Sequence, residues 1–262
     1  MAEKRVKPPC QVPAEVSTLT YATKQIFITA LLTIFSPYLL YITATKWNIF
    51  SDTYQKSQRT TIKENKEYQS EELCQRVWND VAGCGAAYYD AVEYQKQEGW
   101  CGSATMRSVL KSLVALGQMS ADKVPAAKGG PMTAQRYASL LDETSGCTKS
   151  SIVSGSDGYD AFRKVLPLAN STKHRLSLNF LRSSVFGAPG TVFYPPYFMK
   201  VFFGGHFSPI VAYLEQEDLV AVFDVNHAYG LFFVPSQRLY DSILTTDVQS
   251  GVCRGVVVTE LV

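Results

Sequence analysis

Cys101 lies directly ahead of an amphipathic run, in the stretch GWCGSATMRSVLKSL at residues 99–113. A cysteine attacks as the thiolate, so a catalytic cysteine needs a pKa lowered by a helix N-terminus or by a nearby imidazolium. The apolar residues after Cys101 recur at helical spacing, which predicts a helix that begins there and whose dipole favours negative charge on the thiol. Position alone does not decide the role, because free cysteines are more often buried and inert.

A thiol nucleophile needs an imidazole partner, and the chain has three histidines. His174 lies in a turn-like stretch, whereas His206 opens the predicted strand FSPIVAYL directly after two glycines. The next predicted strand, LVAVFDV, ends near Asp224, and a hairpin turning about Glu215 would place Asp224 opposite His206. Opposed residues have Cβ atoms ~5 Å apart, close enough for a carboxylate to orient the imidazole. A turn one residue later would bring residue 226 opposite His206, so the register is a hypothesis.

Acyl transfer to a thiol also needs a hydrogen-bond donor for the oxyanion of the tetrahedral intermediate. Gln95 precedes Cys101 by six residues in YQKQEGWCG, which is the offset of the papain-type arrangement. Gln97 has the same chemistry at the wrong offset and is interpreted as a surface residue. The predicted catalytic set is Cys101, His206, Asp224 and Gln95.

The elements that must position these residues change from helices to strands along the chain. Helical periodicity predicts one helix from Cys101 to about Leu116 and a second over residues 132–143, each followed by a glycine. From Arg175 onward the pattern predicts strands in RLSLNFL, FSPIVAYL, LVAVFDV and GVVVTELV. Helices followed by antiparallel strands predict an α+β domain over residues 71–262.

Composition narrows the class of protein. The 262 residues fit one domain with appendages, and 46% hydrophobic with 18% charged residues suits a folded chain. The net charge is only +2 and the lysines and arginines are scattered, so no nucleic-acid partner is expected. The six cysteines form no CxxC pair and no Cys/His cluster, so no metal site is predicted.

The segment 25–45, QIFITALLTIFSPYLLYITAT, carries no formal charge and reaches the ~20 residues that a bilayer core requires. Its length and the missing small-residue cleavage site favour a retained single-pass anchor over a signal peptide; a buried helix is the other alternative. Residues 1–24 are then an N-terminal tail, and the polar residues 46–70 a linker. Basic residues on both flanks leave the orientation open.

Several of these motifs together resemble the catalytic domain of phytochelatin synthase. They are Gln95 and Cys101-Gly102 at the head of a helix, GHFSPIVAY at 205–213 and FDV at 223–225. The likeness covers roughly residues 75–262 and implies a papain-like cysteine peptidase fold and γ-glutamylcysteine dipeptidyl transpeptidase activity on glutathione. The implied roles are nucleophile for Cys101, general base and acid for His206, orienter for Asp224 and oxyanion donor for Gln95.

The C-terminal stretch TTDVQSGVCRGVVV is similar to the closing segment of that family. By resemblance, Asp247 and Arg254 hold the γ-glutamyl end of the acyl group, whose α-amino group and α-carboxylate need opposite charges. The alternative is an ordinary surface ion pair. Gly205 and Phe207, which flank His206, complete the predicted substrate-binding set.

The chain also departs from the family pattern, which leaves a second function open. His227 stands where the family has an arginine three residues after the aspartate, and the aromatic stretch 188–204 looks like an insertion. The chain shows no cysteine-rich C-terminal extension and in that respect resembles the short forms that mainly cleave glutathione. The alternative is a catalytically degenerate papain-like accessory subunit anchored in a membrane complex. A third option, an anchored peptidase for ordinary peptides, is disfavoured by Asp247 and Arg254.

Glutathione is the expected small-molecule partner, and other subunits of a membrane complex accompany the accessory-subunit alternative. No tightly bound cofactor is expected; heavy-metal ions such as Cd²⁺ or Zn²⁺ enter only through the resemblance, as activators or as metal–thiolate complexes of the substrate. A catalytic thiolate and glutathione both favour a reducing compartment. The expected location is therefore a membrane, with residues 71–262 on the cytosolic or mitochondrial matrix side.

Overall fold

The structure is a computed structural model that describes residues 44–79, 84–130, 132–188, 204–248 and 250–262, together with positions 26, 30, 37 and 41. Most of the predicted anchor and most of the 188–204 insertion lie outside these residues. Within the described ranges, no helix combines the length and the apolar character needed to cross a membrane. The anchor therefore stays a prediction.

A six-stranded antiparallel sheet forms the centre of the domain, with strand order β1-β6-β2-β3-β4-β5. Its strands are β1 (Thr148–Ser154), β2 (His174–Leu181), β3 (Gly205–Leu214), β4 (Leu219–Asp224), β5 (Gly230–Pro235) and β6 (Gly255–Leu261). The four predicted strands correspond to β2, β3, β4 and β6. β1 and β5 were not predicted, and they are the two edge strands.

Helices flank the sheet on both faces. They are α1 (Trp47–Ser57), α2 (Glu71–Asn79), α3 (Cys84–Tyr88), α4 (Cys101–Ala115), α5 (Ala134–Ser145), α6 (Tyr159–Val165), α7 (Arg182–Phe186) and α8 (Ser236–Ile243). The first five precede the sheet along the chain and the last three are interleaved with its strands. This mixture of helices with an antiparallel sheet confirms the predicted α+β class.

Two hydrophobic cores lie on the two faces of the sheet. In β4, Ala221 and Phe223 belong to the core shared with α4 and α5, whereas Val220 and Val222 belong to the core shared with α6 and α8. Alternate residues of a strand point to opposite faces, so a strand covered on both sides must be apolar throughout. This explains why LVAVFD reads as a continuous apolar run.

The two predicted helices are confirmed, and their ends have identifiable causes. α4 covers Cys101–Ala115, and Gly117 beyond it has a φ of 69°. α5 begins after Thr133, whose side chain accepts a hydrogen bond from the backbone N–H of Arg136, and it ends at Gly146 with a φ of 65°. Glycine adopts this left-handed conformation without the steric cost of a Cβ atom.

Helix α1 lies within residues 46–70, a range whose polar composition predicts a linker. Phe50, Thr53 and Ser57 of this helix are buried. The hydroxyls of Ser57 and Ser183 share a buried hydrogen bond of 2.8 Å, which joins α1 to α7. The composition of this segment does not predict the contact, because two of the three buried residues are small and polar.

The described cysteines are in two states. Cys101, Cys147 and Cys253 are free thiols. Cys74 of α2 is disulfide-bonded, a bond that no paired spacing in the sequence predicts.

Candidate active site

The imidazole of His206 and the carboxylate of Asp224 are joined by a buried hydrogen bond. His206 lies near the start of β3 and Asp224 at the end of β4, and both are buried. His206 Nε2 is 2.6 Å from Asp224 Oδ1.

The hairpin register that brings them together differs from the predicted one. Ile210 pairs with Val222, and continuing this register puts residue 226, not Asp224, opposite His206. The turn centred on Glu215 was therefore wrong. The two side chains still meet, because a shift of two residues keeps a side chain on the same face of the sheet and diagonal neighbours remain in reach.

Cys101 is the first residue of α4, and its thiol and the imidazole of His206 are close enough to shift each other's pKa. Burial alone would raise the pKa of Cys101. The charge and hydrogen bond of His206, the backbone N–H of Phe207 and the charge of Arg182 outweigh burial and lower the thiol pKa below its ordinary value. The site thus favours the thiolate, the nucleophilic form of cysteine.

The pKa values of His206 and Asp224 shift in opposite directions. Burial and the charge of Arg182 lower the pKa of His206. Asp224 and Cys101 raise it by a larger amount, so the pKa of His206 lies above its ordinary value. Burial raises the pKa of Asp224, while Arg182 and His206 lower it below the ordinary carboxyl value. With the thiol pKa lowered and the imidazole pKa raised, the described geometry supports a thiolate–imidazolium pair.

Arg182 is a site residue that the sequence reasoning missed. Its Nη2 lies 2.6 Å from His206 Nδ1 and 2.7 Å from His206 Nε2, and its Nε lies 3.3 Å from Asp224 Oδ2. The lone pairs of the two ring nitrogens diverge, so one N–H cannot align with both. The contact is therefore mainly that of a cation with the imidazole ring. On the other side, the guanidinium lies 4.9 Å from the Tyr229 ring centroid.

The strand pairing explains how Arg182 reaches the site. Leu181 at the end of β2 pairs with Gly205, and Phe180 pairs with His206. Arg182 follows immediately and begins α7, with its backbone N–H donating to the Gly204 carbonyl at 3.2 Å. The sequence shows an arginine after the predicted strand RLSLNFL, but only the order of strands in the sheet places it beside His206.

Gln95 is fixed by the strand that carries Asp224. Its backbone N–H donates to the Val225 carbonyl at 2.7 Å. The side chain is half-buried, and Oε1 is buried without a hydrogen-bond partner among the described residues. Gln95 is not one of the residues that line the cavity beside Cys101. Gln97, at the neighbouring offset, is exposed, as predicted.

A cavity of about 530 Å³ opens beside Cys101. Its lining includes all four residues predicted to bind substrate: Gly205, Phe207, Asp247 and Arg254. Asn179 of β2 lines it as well and was not predicted; it pairs with Phe207 on one side and Gly255 on the other. The volume lies in the usual range for a small-molecule site.

Arg254 is buried, so its contact with Asp247 is not an ordinary surface ion pair. Its side chain is 2% exposed, and burial lowers the pKa of Arg254 to about 10. Nη1 donates to Thr245 Oγ1 and to the Thr246 carbonyl, each at 2.9 Å, while Nη2 lies 3.8 Å from Asp247 Oδ1. At neutral pH the cavity wall thus carries a buried cation.

A further donor of this guanidinium, Nε, is buried beside Gly205. Arg254 Nε is buried and has no hydrogen-bond partner in the part of the chain that the structure describes. Gly205 lies beside it, and a Cβ atom at Gly205 would come within 3.2 Å of Arg254 Nη2. The glycine therefore leaves space next to the guanidinium that a side chain would fill.

The other histidines are placed apart in the fold. His227 is exposed in the turn after β4, and His174 begins β2, with Nδ1 3.2 Å from Ser171 Oγ. Among the described residues, no group of three or more His, Cys, Asp and Glu side chains could hold a metal ion.

The arrangement joins a thiol nucleophile, an imidazole and a buried orienting carboxylate, the groups that acyl transfer through a thioester requires. The chain belongs to the phytochelatin synthase family: the family model described as Phytochelatin synthase matches residues 115–256, more than half of its length. This match confirms the resemblance seen in the motifs, and the family implies glutathione as the substrate. A comparison with curated proteins finds no match.

The matched range includes His206, Asp224, Asp247 and Arg254 but begins after Cys101. The predicted nucleophile therefore lies outside the match, at the start of α4 and beside His206.

Proposed function

We propose that this chain is a γ-glutamylcysteine dipeptidyl transpeptidase or hydrolase that acts on glutathione through Cys101, His206 and Asp224 in a papain-like domain. The observation that carries the proposal is that Cys101 and the buried cation Arg254 line one cavity. A nucleophile and a cation that line the same cavity suit a small peptide with a carboxylate beyond its scissile bond.

The proposed reaction has two steps. The Cys101 thiolate attacks the carbonyl carbon between the cysteine and glycine of glutathione, and His206 gives its proton to the departing glycine amine. The γ-glutamylcysteinyl group is then held as a thioester on Cys101. Water or a second glutathione, deprotonated by His206, attacks the thioester and restores the thiolate and the imidazolium. Gln95 is the proposed side-chain donor to the oxyanion of each tetrahedral intermediate.

The γ-glutamyl end carries two charges that Arg254 and Asp247 complement. Its α-carboxylate suits the guanidinium of Arg254, including the buried Nε beside Gly205. Its α-amino group suits the carboxylate of Asp247, which lines the same cavity. No residue of an ordinary peptide carries both a free α-amino group and a free α-carboxylate. Asp247 and Arg254 together therefore favour a γ-linked substrate. Cd²⁺ or Zn²⁺ enters the proposal as part of the substrate, in a metal–glutathione thiolate.

We place the reaction at a membrane, with the chain anchored by residues 25–45 and the domain facing the cytosol or the mitochondrial matrix. Glutathione and a catalytic thiolate both require reduced sulfur, which supports a reducing compartment. The disulfide at Cys74 argues in the other direction, because such bonds persist mainly in oxidising compartments.

The test is the release of glycine from glutathione by the full-length chain. The wild type should release glycine, and Cys101→Ala should not. Cys147→Ala is the matched control, because Cys147 is also a half-buried free thiol but lies just before β1, where it bonds to the Gln118 carbonyl. Equal release from wild type and Cys101→Ala would contradict the proposal. No release from the wild type would favour the accessory-subunit alternative.

A further inference from the structure

Helix α1 contacts the segment that carries Asp247. Lys46, just before the helix, donates from Nζ to the Val248 carbonyl at 2.9 Å. Lys56, in its last turn, donates from Nζ to the Leu244 carbonyl and pairs with Asp52. Two lysines from the N-terminal side of the chain thus bind the two ends of segment 244–248.

The two bonds attach both ends of segment 244–248 to one helix. Lys46 and Lys56 lie ten residues apart, at the two ends of α1, and the two carbonyls that they bind lie four residues apart.

The same helix also holds the element that begins with Arg182. Besides the hydrogen bond between Ser57 and Ser183, the Ala188 backbone N–H donates to the Ser57 carbonyl at 2.8 Å. Helix α1 therefore contacts two segments that bring charged groups to the site. It lies outside the range 115–256 that matches the family model.

We propose that α1 is a positioning element of the substrate pocket, in which Lys46 and Lys56 hold segment 244–248 so that Asp247 keeps its place in the lining of the cavity that Cys101 shares. This inference rests on the proposed function for its substrate but not for its geometry. Lys46 and Lys56 do not line the cavity, so they act through the segment and not on the ligand.

The backbone hydrogen bonds within residues 244–254 join residues of the same turn. A contact from outside the turn can therefore stabilise it. The Asp247 N–H donates to Val252, the Gly251 N–H to Asp247 and the Arg254 N–H to Thr245. Such a turn opens at low free-energy cost when it has few outside contacts. Opening it would move Asp247 away from Arg254. The triad would stay in place, because Cys101, His206 and Asp224 belong to α4, β3 and β4.

The experiment compares full-length variants in glycine release from glutathione. We expect Lys46→Met/Lys56→Met to raise KM about tenfold while kcat stays within about twofold, because a charge-assisted hydrogen bond contributes about a factor of ten. The double variant with arginine at both positions should restore KM, since a guanidinium also donates to carbonyls. Lys66→Met is the matched control, because Lys66 is 91% exposed and pairs with Glu67 on the surface.

A second readout does not depend on the reaction. Hydrogen exchange at the amides of Asp247, Gly251 and Arg254 should be about tenfold faster in the methionine double variant than in the wild type or Lys66→Met. If the wild type releases no glycine, the proposed function fails and the exchange rates alone decide this inference. Unchanged exchange would overturn it. A fall in kcat together with Tm, at unchanged KM, would also overturn it, because that result indicates a general structural role.

Discussion

Arg182→Met should move the pH dependence of the enzyme to higher pH. The guanidinium contacts the His206 ring, disfavouring the imidazolium, and its charge also favours the Cys101 thiolate. Its removal should therefore raise both pKa values. The thiolate–imidazolium pair exists between the two, so the acid limb and the basic limb of the kcat/KM profile should both shift upward.

The size of the shift follows from the contact distance. Arg182 Nη2 lies 2.7 Å from His206 Nε2, and its side chain is 21% exposed, so solvent screens the pair only partly. Two like charges roughly 4 Å apart repel by about 4 kcal/mol at an effective dielectric constant near 20, which corresponds to a ceiling of about 3 pKa units. We expect about 1–2 units for His206. The shift for Cys101 should be smaller, because Arg182 is the weakest of its lowering influences.

Two assays measure the acid limb and the basic limb of the pH profile independently. Alkylation of Cys101 by neutral iodoacetamide, followed by mass spectrometry across pH, measures the thiolate without substrate. The kcat/KM for S-methylglutathione measures the basic limb without titration of a substrate thiol. Arg182→Lys is the matched control and should stay close to the wild-type profile, because it keeps the charge. A methionine variant whose limbs do not move, or move to lower pH, would refute the electrostatic role and leave Arg182 as a packing or substrate-binding residue.

Two further substitutions test the oxyanion donor and the carboxylate site. Gln95→Ala should lower kcat by about 10²–10³-fold if its amide binds the oxyanion. Gln97→Ala is the control and should have no effect, because Gln97 is exposed and at the wrong offset. Equal rates for the two variants would show that Gln95 is not the oxyanion donor. Arg254→Met should lower kcat/KM by a factor that corresponds to about 2–4 kcal/mol of transition-state binding. Thr245→Val, which removes a hydroxyl that accepts from Arg254 Nη1 and donates to the Ser242 carbonyl, should lower it much less. Similar losses in both variants would mean that Arg254 only supports the turn.

The parts of the fold that sequence predicts well are those with a strong period or a defined stop. Helix α4 has apolar residues at helical spacing, and α5 ends at a left-handed glycine. Strands β3, β4 and β6 are largely apolar because both faces of the sheet are covered, and β2 alternates apolar with polar residues. Edge strand β1, TKSSIVS, is mostly polar and therefore lacks a strand pattern of either kind.

The hairpin of β3 and β4 shows where local reasoning fails. The register changes by one position between Ile210 and Ala212, an irregularity that no composition rule locates. The prediction that Asp224 orients His206 nevertheless agrees with the observed hydrogen bond, because the real offset is two residues and keeps the same face. Side-chain face is therefore easier to predict than the directly opposed partner.

Arg182 and helix α1 were missed for a different reason. Both reach the site through neighbours that are distant along the chain: Arg182 through the pairing of β2 with β3, and α1 through carbonyls at residues 244 and 248. A sequence motif carries only the spacing of residues within one segment. The order of strands and the docking of a polar helix depend on the complete packing of the chain.

The charges buried at the site balance in both of its protonation states, and Arg182 is the reason. With neutral thiol and imidazole, the guanidinium offsets the fully buried carboxylate of Asp224. Proton transfer from Cys101 to His206 then adds one negative and one positive charge, so the net charge stays at zero. Without Arg182, the same enclosed site would hold an uncompensated negative charge in both states, and a thiolate would be a second anion beside it. A buried aspartate can therefore orient the imidazole here without suppressing formation of the thiolate. For this reason the pH profile of Arg182→Met tests the charge balance of the site more directly than a loss of activity would.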